Sequence, residues 1–138
     1  MEPLDLRKAP PRPPHAELSG LVFLPRSIDK LRASLPGGHL GEYTLPGHTE
    51  RMLGMLGTTV ARAAEIVRNA TSDEEVASHL LYDVPADVVA SWNADIAKRE
   101  PRNGDRAAAI VAYPWLAERP DLILSLDVLA EDDRIGFV

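Results

Sequence analysis

Apolar residues recur at helical spacing along most of the chain, and prolines and glycines separate one apolar segment from the next. A period near 3.6 residues, with little β-branched alternation, is typical of amphipathic helices. The pattern therefore predicts an all-α fold of six or seven short helices. The prolines in the connections favour helices that cross one another over a long parallel bundle.

The first half of this pattern predicts three helices. The first covers residues 25–35, with a proline in its first turn and a proline-glycine-glycine stop after its end. The second covers residues 49–56, and the third begins at Thr58 or Thr59, which are suitable N-cap residues. The glycine-rich loop between the first two helices, residues 37–47, is expected to contain a short extended segment.

The second half begins at a capping box. In this motif Ser72 accepts a hydrogen bond from the Glu75 N–H, and the Glu75 carboxylate accepts one from the Ser72 N–H. Later helices are predicted to begin near Pro85 and at Asp105. Asp121 is predicted to cap the last helix.

The N-terminal segment has a different composition, since five of the twelve prolines lie within the first fourteen residues. Proline fixes φ and lacks an N–H, so residues 8–14 are predicted to be extended and polyproline-like. Leucines on both sides can anchor this segment. We therefore expect residues 1–20 to form an arm packed on a single helical domain, residues 21–138, of ordinary domain size.

Composition excludes several classes of function. The net charge of −6 argues against nucleic-acid binding, which depends on clustered lysine and arginine. The absence of cysteine excludes disulfides and thiolate chemistry. The N-terminus is acidic and proline-rich, unlike a secretory signal, and no apolar run reaches the ~20 residues that span a bilayer. We expect a cytoplasmic protein without membrane contact, and the oligomeric state is left open.

The chain contains no complete nucleotide-binding, metalloprotease or serine-hydrolase motif, so no cofactor is predicted. His39, Glu42 and His48 are of residue types that bind iron or zinc. Their spacing in a flexible loop matches no metal-binding pattern, and solvated histidines are the preferred interpretation. No metal site is predicted.

Arg26, Asp29 and Lys30 share the polar side of the first predicted helix. Arg26 and Lys30 are like charges four residues apart, a repulsive arrangement that a nearby or bound anion would relieve and that Asp29 relieves in part. Two interpretations stay open, a solvated helix face and a ligand site. In the following loop Glu42 and Tyr43 pair a carboxylate with a phenol, which suits acid–base chemistry, although Tyr43 can equally be a core residue.

Three segments together carry a resemblance: residues 5–12 (DLRKAPPR), 20–33 (GLVFLPRSIDKLRA) and 40–43 (LGEY). In this order they resemble a bacterial family of domains of unknown function, DUF5069. The chain departs from the family pattern at residues 44–48 (TLPGH), which puts the specificity of any pocket there in question. The resemblance implies that the family's polar positions map onto Asp5, Arg7, Lys8, Arg26, Asp29, Lys30, Glu42 and Tyr43.

These positions support two hypotheses. In the first, the arm, the first helix and the GEY loop enclose a pocket for a small anionic or polar molecule, with cofactor-independent proton transfer, cyclisation, isomerisation or elimination as the accessible chemistry. It assigns anion binding to Arg7, Lys8, Arg26 and Lys30, the base to Asp29 or Glu42, and proton donation to Tyr43. In the second, the domain is a non-enzymatic interaction module, and the same charges form a salt-bridge network that fastens the arm.

Overall fold

The computed structural model describes residues 1–137, so Val138, the last residue of the predicted domain, lies outside the described residues. Within that range a small antiparallel hairpin precedes seven α-helices, which confirms the all-α prediction. The elements are β1 (Glu17–Leu18), β2 (Leu21–Val22), α1 (Leu24–Ala33), α2 (His48–Met55), α3 (Val60–Asn69), α4 (Asp73–Leu80), α5 (Ala86–Lys98), α6 (Arg106–Ala112) and α7 (Ser125–Gly136), with 3₁₀ turns at Pro101–Gly104 and Pro114–Glu118. None of the helices in residues 1–137 combines the length and apolarity needed to cross a membrane.

Helix α1 lies at the centre of the larger of two hydrophobic clusters. Nine of its ten residues are buried, and Leu24, Ile28 and Leu31 contact the apolar side chains of α2 to α5. A smaller cluster forms where α6 and the second 3₁₀ turn pack on Val128 of α7. Because Leu126 of α7 belongs to the larger cluster, the last helix joins the two clusters.

The first two predicted helices are displaced by one or two residues, but the last one is corrected. Asp121 does not cap it. The Asp121 carboxylate instead accepts hydrogen bonds from Arg119, and α7 begins at Ser125. The local ion pair replaces the capping contact, and the helix continues through residues 131–133, which places the acidic end of the chain against α1.

The capping box at α4 is half confirmed. The Ser72 hydroxyl accepts from the Glu75 N–H at 3.1 Å, as the motif requires. The Glu75 carboxylate, however, accepts from the N–H and the hydroxyl of Thr71, each at 2.8 Å, and not from the Ser72 N–H. Thr71, one residue before the N-cap, offers both its N–H and its hydroxyl as donors. This explains why the Glu75 carboxylate bonds to Thr71 and not to the Ser72 N–H.

The arm, residues 1–20, packs along α1 and the loop that follows it. Residues 4–6 pair with His39 in the manner of a parallel strand, through the Leu6 N–H to the His39 carbonyl and the His39 N–H to the Leu4 carbonyl, both at 2.9 Å. Gly41 lies so close to this segment that a Cβ atom on it would stand 3.1 Å from the Leu6 carbonyl oxygen, at a φ of +61°. Glycine is therefore the residue that this approach requires.

Arg12 fixes the middle of the arm. Its guanidinium contacts Asp29 of α1 at 3.0 Å and Asp73 at the start of α4 at 2.7 Å, and its backbone N–H donates to Asp29 at 2.7 Å. One side chain thus ties the arm to two helices. The Asp29 side chain is almost completely buried, so it depends on these donors.

We expect Arg12→Met to lower the free energy of unfolding by about 1–2 kcal/mol, because it leaves the buried Asp29 carboxylate with only a backbone donor. The loss is not larger because the Arg12 side chain is partly exposed and solvent screens its ion pairs. Urea denaturation would measure the change. Arg7→Met is the matched control, since Arg7 is exposed and pairs only with its neighbour Asp5. Equal losses in the two variants would contradict a fastening role for Arg12.

Candidate functional site

A large pocket opens between the two hydrophobic clusters and has a volume of about 970 Å³. Its walls come from distant parts of the chain: α1, the loop at residues 41–47, the start of α2, the 3₁₀ turn after α5, the end of α6, and α7. The residues that give it its chemistry are Arg7, Phe23, Arg26, Lys30, Glu42, Tyr43, His48, Arg51, Arg99, Glu100, Arg102, Asn103, Tyr113, Ser125 and Asp132.

More cationic than acidic side chains line the pocket although the chain is acidic, and three of the cations, Arg7, Arg26 and Arg99, have carboxylate partners outside the lining. Six lysine and arginine side chains line it against three carboxylates, in a protein whose net charge is −6. Two of those carboxylates, Glu42 and Glu100, belong to exposed residues, and the third, on Asp132, accepts from the Trp115 N–H. Clustering of one sign of charge in a concave, low-dielectric wall raises the local concentration of the opposite ion.

Arg26 is the most deeply buried of these cations, at 2% exposure, and it is paired. Its guanidinium donates to both carboxylate oxygens of Asp133 on α7, at 2.6 and 3.2 Å. Tyr43 donates its hydroxyl to the same carboxylate at 2.7 Å and lays its ring against the guanidinium. Burial first, and then this hydrogen bond to Asp133, raise the pKa of Tyr43. The Tyr43 phenol thus stays protonated, and its proton is used in the hydrogen bond to Asp133.

Lys30 lies one turn further along α1 and is only 7% exposed. Within residues 1–137 its ammonium has neither a hydrogen-bond acceptor nor an ion-pair partner; its close neighbour is the face of the Phe23 ring, 5.9 Å away. Burial, followed by repulsion from Arg26, lowers the pKa of Lys30 to about 8. An enclosed and unpaired ammonium is costly, which marks Lys30 as the most unusual side chain in the pocket.

Arg51 adds a second incompletely paired cation. It stacks on the Trp92 ring at 5.3 Å and donates to His48 Nδ1 at 2.9 Å. Its nearest carboxylate, Asp95, stands 3.8 Å away and is held more closely by Arg99, at 3.1 Å. Two guanidinium groups therefore share one carboxylate. The Arg51 Nε is buried without an acceptor in the described part of the chain.

His48 begins α2 beside this pair. Burial, and then the positive charge of Arg51 and Lys30, lower the pKa of His48 to about 4, so its imidazole is neutral at pH 7. Because Nδ1 accepts from Arg51, the ring proton is assigned to Nε2. His48 is thus a neutral donor at the pocket wall, and its edge packs against Phe23.

Two further buried groups have unused hydrogen-bonding capacity. The Ser125 hydroxyl, on a residue 2% exposed, and the Arg26 Nε have no partner among residues 1–137. Buried polar atoms are ordinarily hydrogen-bonded, and exceptions concentrate where a ligand or water completes them. Lys30, Arg51, Arg26 and Ser125 are all among the residues that line the pocket.

Backbone strain is also concentrated at this site. Among residues 1–137, five non-glycine residues have positive φ, and three of them, Phe23, Arg102 and Asn103, line the pocket. Phe23, at φ 80°, precedes α1, and a bulky residue rarely adopts that region. Arg102 and Asn103, both near φ 55°, form a left-handed turn at the rim. Strain of this kind persists where the surroundings impose it, often at ligand sites.

The predicted site residues separate into two groups. Arg7, Arg26, Lys30, Glu42 and Tyr43 line the pocket. Asp29 and Lys8 do not: Asp29 is held by Arg12, and Lys8 is an exposed residue of the arm. The solvated-face interpretation of the first helix is wrong, because Arg26, Asp29 and Lys30 are all buried.

Sequence reasoning missed most of the pocket's other polar groups. Arg51, Arg99, Arg102 and Ser125 belong to no motif, and only tertiary packing brings them together. One signal was available, the PRNG segment at residues 101–104, whose asparagine and glycine suit left-handed turns.

Within residues 1–137, no three histidine and carboxylate side chains gather as a metal site would require, and His39 Nδ1 accepts from the Gly41 N–H.

None of the curated proteins compared with this chain matches it. The model of one family, described as a domain of unknown function, DUF5069, matches residues 8–134. This range spans the hairpin, helices α1 to α6, and α7 as far as Arg134, including Asp133. The chain therefore belongs to the DUF5069 family.

Proposed function

We propose that this protein binds a small anionic molecule in the pocket between α1 and α7. The observation that carries the proposal is the Lys30 ammonium, on a residue only 7% exposed, which lines a cavity of about 970 Å³ and has no hydrogen-bond or ion-pair partner in residues 1–137. Because an unpaired buried charge is expensive, a site that keeps one is best explained by a ligand that neutralises it.

The neighbouring groups support an oxyanion. Arg51 shares its one carboxylate partner with Arg99, and Arg102 stands at the rim without an ion pair among the described residues. Guanidinium groups bind carboxylate and phosphate oxygens through paired donors, whereas lysine acts as a point charge. A small carboxylate or phosphate ester therefore matches the set of donors.

Acid–base chemistry on the bound molecule is the finer part of the proposal. Of the two candidate bases, only Glu42 lines the pocket, since Asp29 is held by Arg12. Tyr43 is a weak proton donor because its hydroxyl donates to Asp133, so its contribution is to position that carboxylate. Cofactor-independent proton transfer, as in isomerisation, cyclisation or elimination, would then depend on Glu42 and on the Lys30 amine.

Binding can be measured by isothermal titration calorimetry with phosphate, citrate and pyruvate as probes. We expect Lys30→Met and Arg51→Met each to weaken binding of the tightest probe about tenfold or more, the value of one charge-assisted hydrogen bond. Affinity should also fall with added salt. Arg68→Met is the matched control, because Arg68 is exposed on α3 and lies outside the pocket. Equal affinities in all four proteins would overturn the proposal.

The interaction-module hypothesis draws its support from Arg12. That residue, with Asp29 and Asp73, fastens the arm without contributing to the pocket. If no probe binds while Arg12→Met loosens the arm, the charged residues are better explained as a structural network. The titration and the Arg12 variant together distinguish the two functions.

A further inference from the structure

Lys30 differs from the other amines of the chain. The sequence has three lysines, and Lys8 and Lys98 are exposed whereas Lys30 is buried in the pocket wall. The N-terminal amino group is held by backbone carbonyls at the end of α3, the shortest contact being 2.6 Å to Ala70. Lys30 is thus the one amine among residues 1–137 that is enclosed, lacks an acceptor and faces a cavity.

The surroundings of Lys30 favour its neutral form. Arg26 lies one helical turn before it, His48 of α2 is close enough to interact with its charge, and Asp133 on α7, which opposes the shift, is engaged by Arg26 and Tyr43. Burial, and then repulsion from Arg26, lower the pKa of Lys30 to about 8, so half of the amine is unprotonated at pH 8. An ordinary exposed lysine, with a pKa of about 10.4, has less than about 1% of its amine unprotonated at pH 8.

A neutral lysine amine beside cationic groups is a nucleophile for carbonyl carbon. Arg51, an incompletely paired cation that lines the same pocket, would hold the anionic part of a ligand. The ligand that fits both features carries a carboxylate or phosphate group and, a few bonds away, an aldehyde or ketone.

We infer that Lys30 forms an imine with a small anionic oxo compound, such as a 2-oxo acid, bound in the pocket. The inference rests on the proposed anion binding and specifies its ligand. The Lys30 amine attacks the carbonyl carbon, a C–N bond forms, and the carbonyl oxygen takes up a proton to give a carbinolamine. Loss of that oxygen as water leaves a protonated imine. In sum, one ammonium and one carbonyl give one iminium and one water, with no change in charge or oxidation state.

The protonated imine would withdraw electrons from the carbon next to it and make a C–H bond there easier to break. Glu42, whose carboxylate has no hydrogen-bond or ion-pair partner in the described residues, is the base available at the pocket rim. The pocket would then combine covalent attachment by Lys30 with proton removal by Glu42.

Borohydride trapping tests this inference on the full chain. Pyruvate, glyoxylate, 2-oxoglutarate and dihydroxyacetone phosphate serve as probes, each reduced with sodium borohydride at pH 8, and peptide mass spectrometry assigns the adduct. We expect modification of Lys30 at about tenfold or more the level at Lys98 or Lys8, which act as internal controls. Yield at Lys30 should reach half of its maximum near pH 8, following its pKa.

Lactate, which has the carboxylate of pyruvate but no carbonyl, separates this inference from the proposed function. Lactate that binds by calorimetry and competes with pyruvate, together with no Lys30 adduct from any probe, would overturn imine formation and leave anion binding intact. Failure of lactate, pyruvate and the other anions to bind would overturn both. Equal labelling of the three lysines would also refute a special role for Lys30. This comparison uses the unaltered protein, so it does not depend on the folding of a variant.

Discussion

The substitution Asp133→Ala is expected to lower the free energy of unfolding by about 3–5 kcal/mol, the largest loss from any single change in the pocket wall. Asp133 accepts from both terminal nitrogens of Arg26 and from the Tyr43 hydroxyl. Without it the guanidinium of Arg26, 2% exposed, is buried with only the Arg12 carbonyl at 3.3 Å. The loss is large because the charge remains after its partner is removed.

Chemical denaturation would measure this effect, with Asp127→Ala as the control. Asp127 lies on the same helix, is half-exposed and pairs with His15, so its removal should cost less than about 1 kcal/mol. The double variant Arg26→Met with Asp133→Leu should recover much of the stability, because an apolar pair leaves no charge behind. Similar losses for Asp133→Ala and Asp127→Ala would show that the buried pair does not stabilise the fold.

Lys30→Met is expected to act in the opposite direction and to raise the free energy of unfolding at pH 7. The folded-state pKa of Lys30 is about 8, below its ordinary value of 10.5. Folding therefore places the charged Lys30 amine in an environment that disfavours its charge. Below pH 8 this lowers the free energy of unfolding by an amount on the order of 3 kcal/mol. Methionine fills a similar volume without a charge, so we expect a gain of about 1–3 kcal/mol.

The pH dependence gives this prediction a second readout. A depressed folded-state pKa means that stability is fully present above pH 10.5 and is lost as the pH falls through 8. The advantage of Lys30→Met should therefore be constant below pH 8 and shrink between pH 8 and 10.5. Lys98→Met, at an exposed site, should change stability by less than about 0.5 kcal/mol. Denaturation of the two variants across this range would decide the matter, and a less stable Lys30→Met at pH 7 would contradict the assignment.

Together the two variants describe how stability is divided over the pocket wall. Asp133 forms an ion pair with Arg26, whereas Lys30 has no ion-pair partner in residues 1–137 and only a more distant interaction with Asp133. Residues that function imposes commonly reduce stability, and their replacement commonly increases it. A Lys30→Met protein that is more stable but binds the anion more weakly would show that this one residue lowers stability and supports binding.

The sequence predicted most of the helices and five of the polar residues that line the pocket. Apolar periodicity and stop residues are local signals, so α1 and α2 were predicted to within one or two residues. The last helix was placed wrongly because Asp121 has a local arginine partner that competes with capping. Which charges are buried depends on packing, and the sequence alone could not choose between a solvated and an enclosed Lys30.

The separation of the pocket residues along the chain explains the remaining gaps. Arg26, Lys30 and Tyr43 lie within a segment that carries a family motif, whereas Arg51, Arg99, Arg102 and Ser125 come from four later places. No spacing rule connects such positions. Asp29 was a reasonable choice of base from its place beside Lys30, and only the position of the arm shows that Arg12 occupies it.

The pair of Arg26 with Asp133 joins residues that are 107 positions apart. Closing so long a loop is entropically unfavourable, and a guanidinium buried before its counter-ion arrives is costly. The core around α1 and the docking of α7 therefore cannot be completed one after the other without passing through a high-energy state. We therefore expect the pocket to form in the final, cooperative step of folding, so that a partly folded chain lacks the pocket altogether.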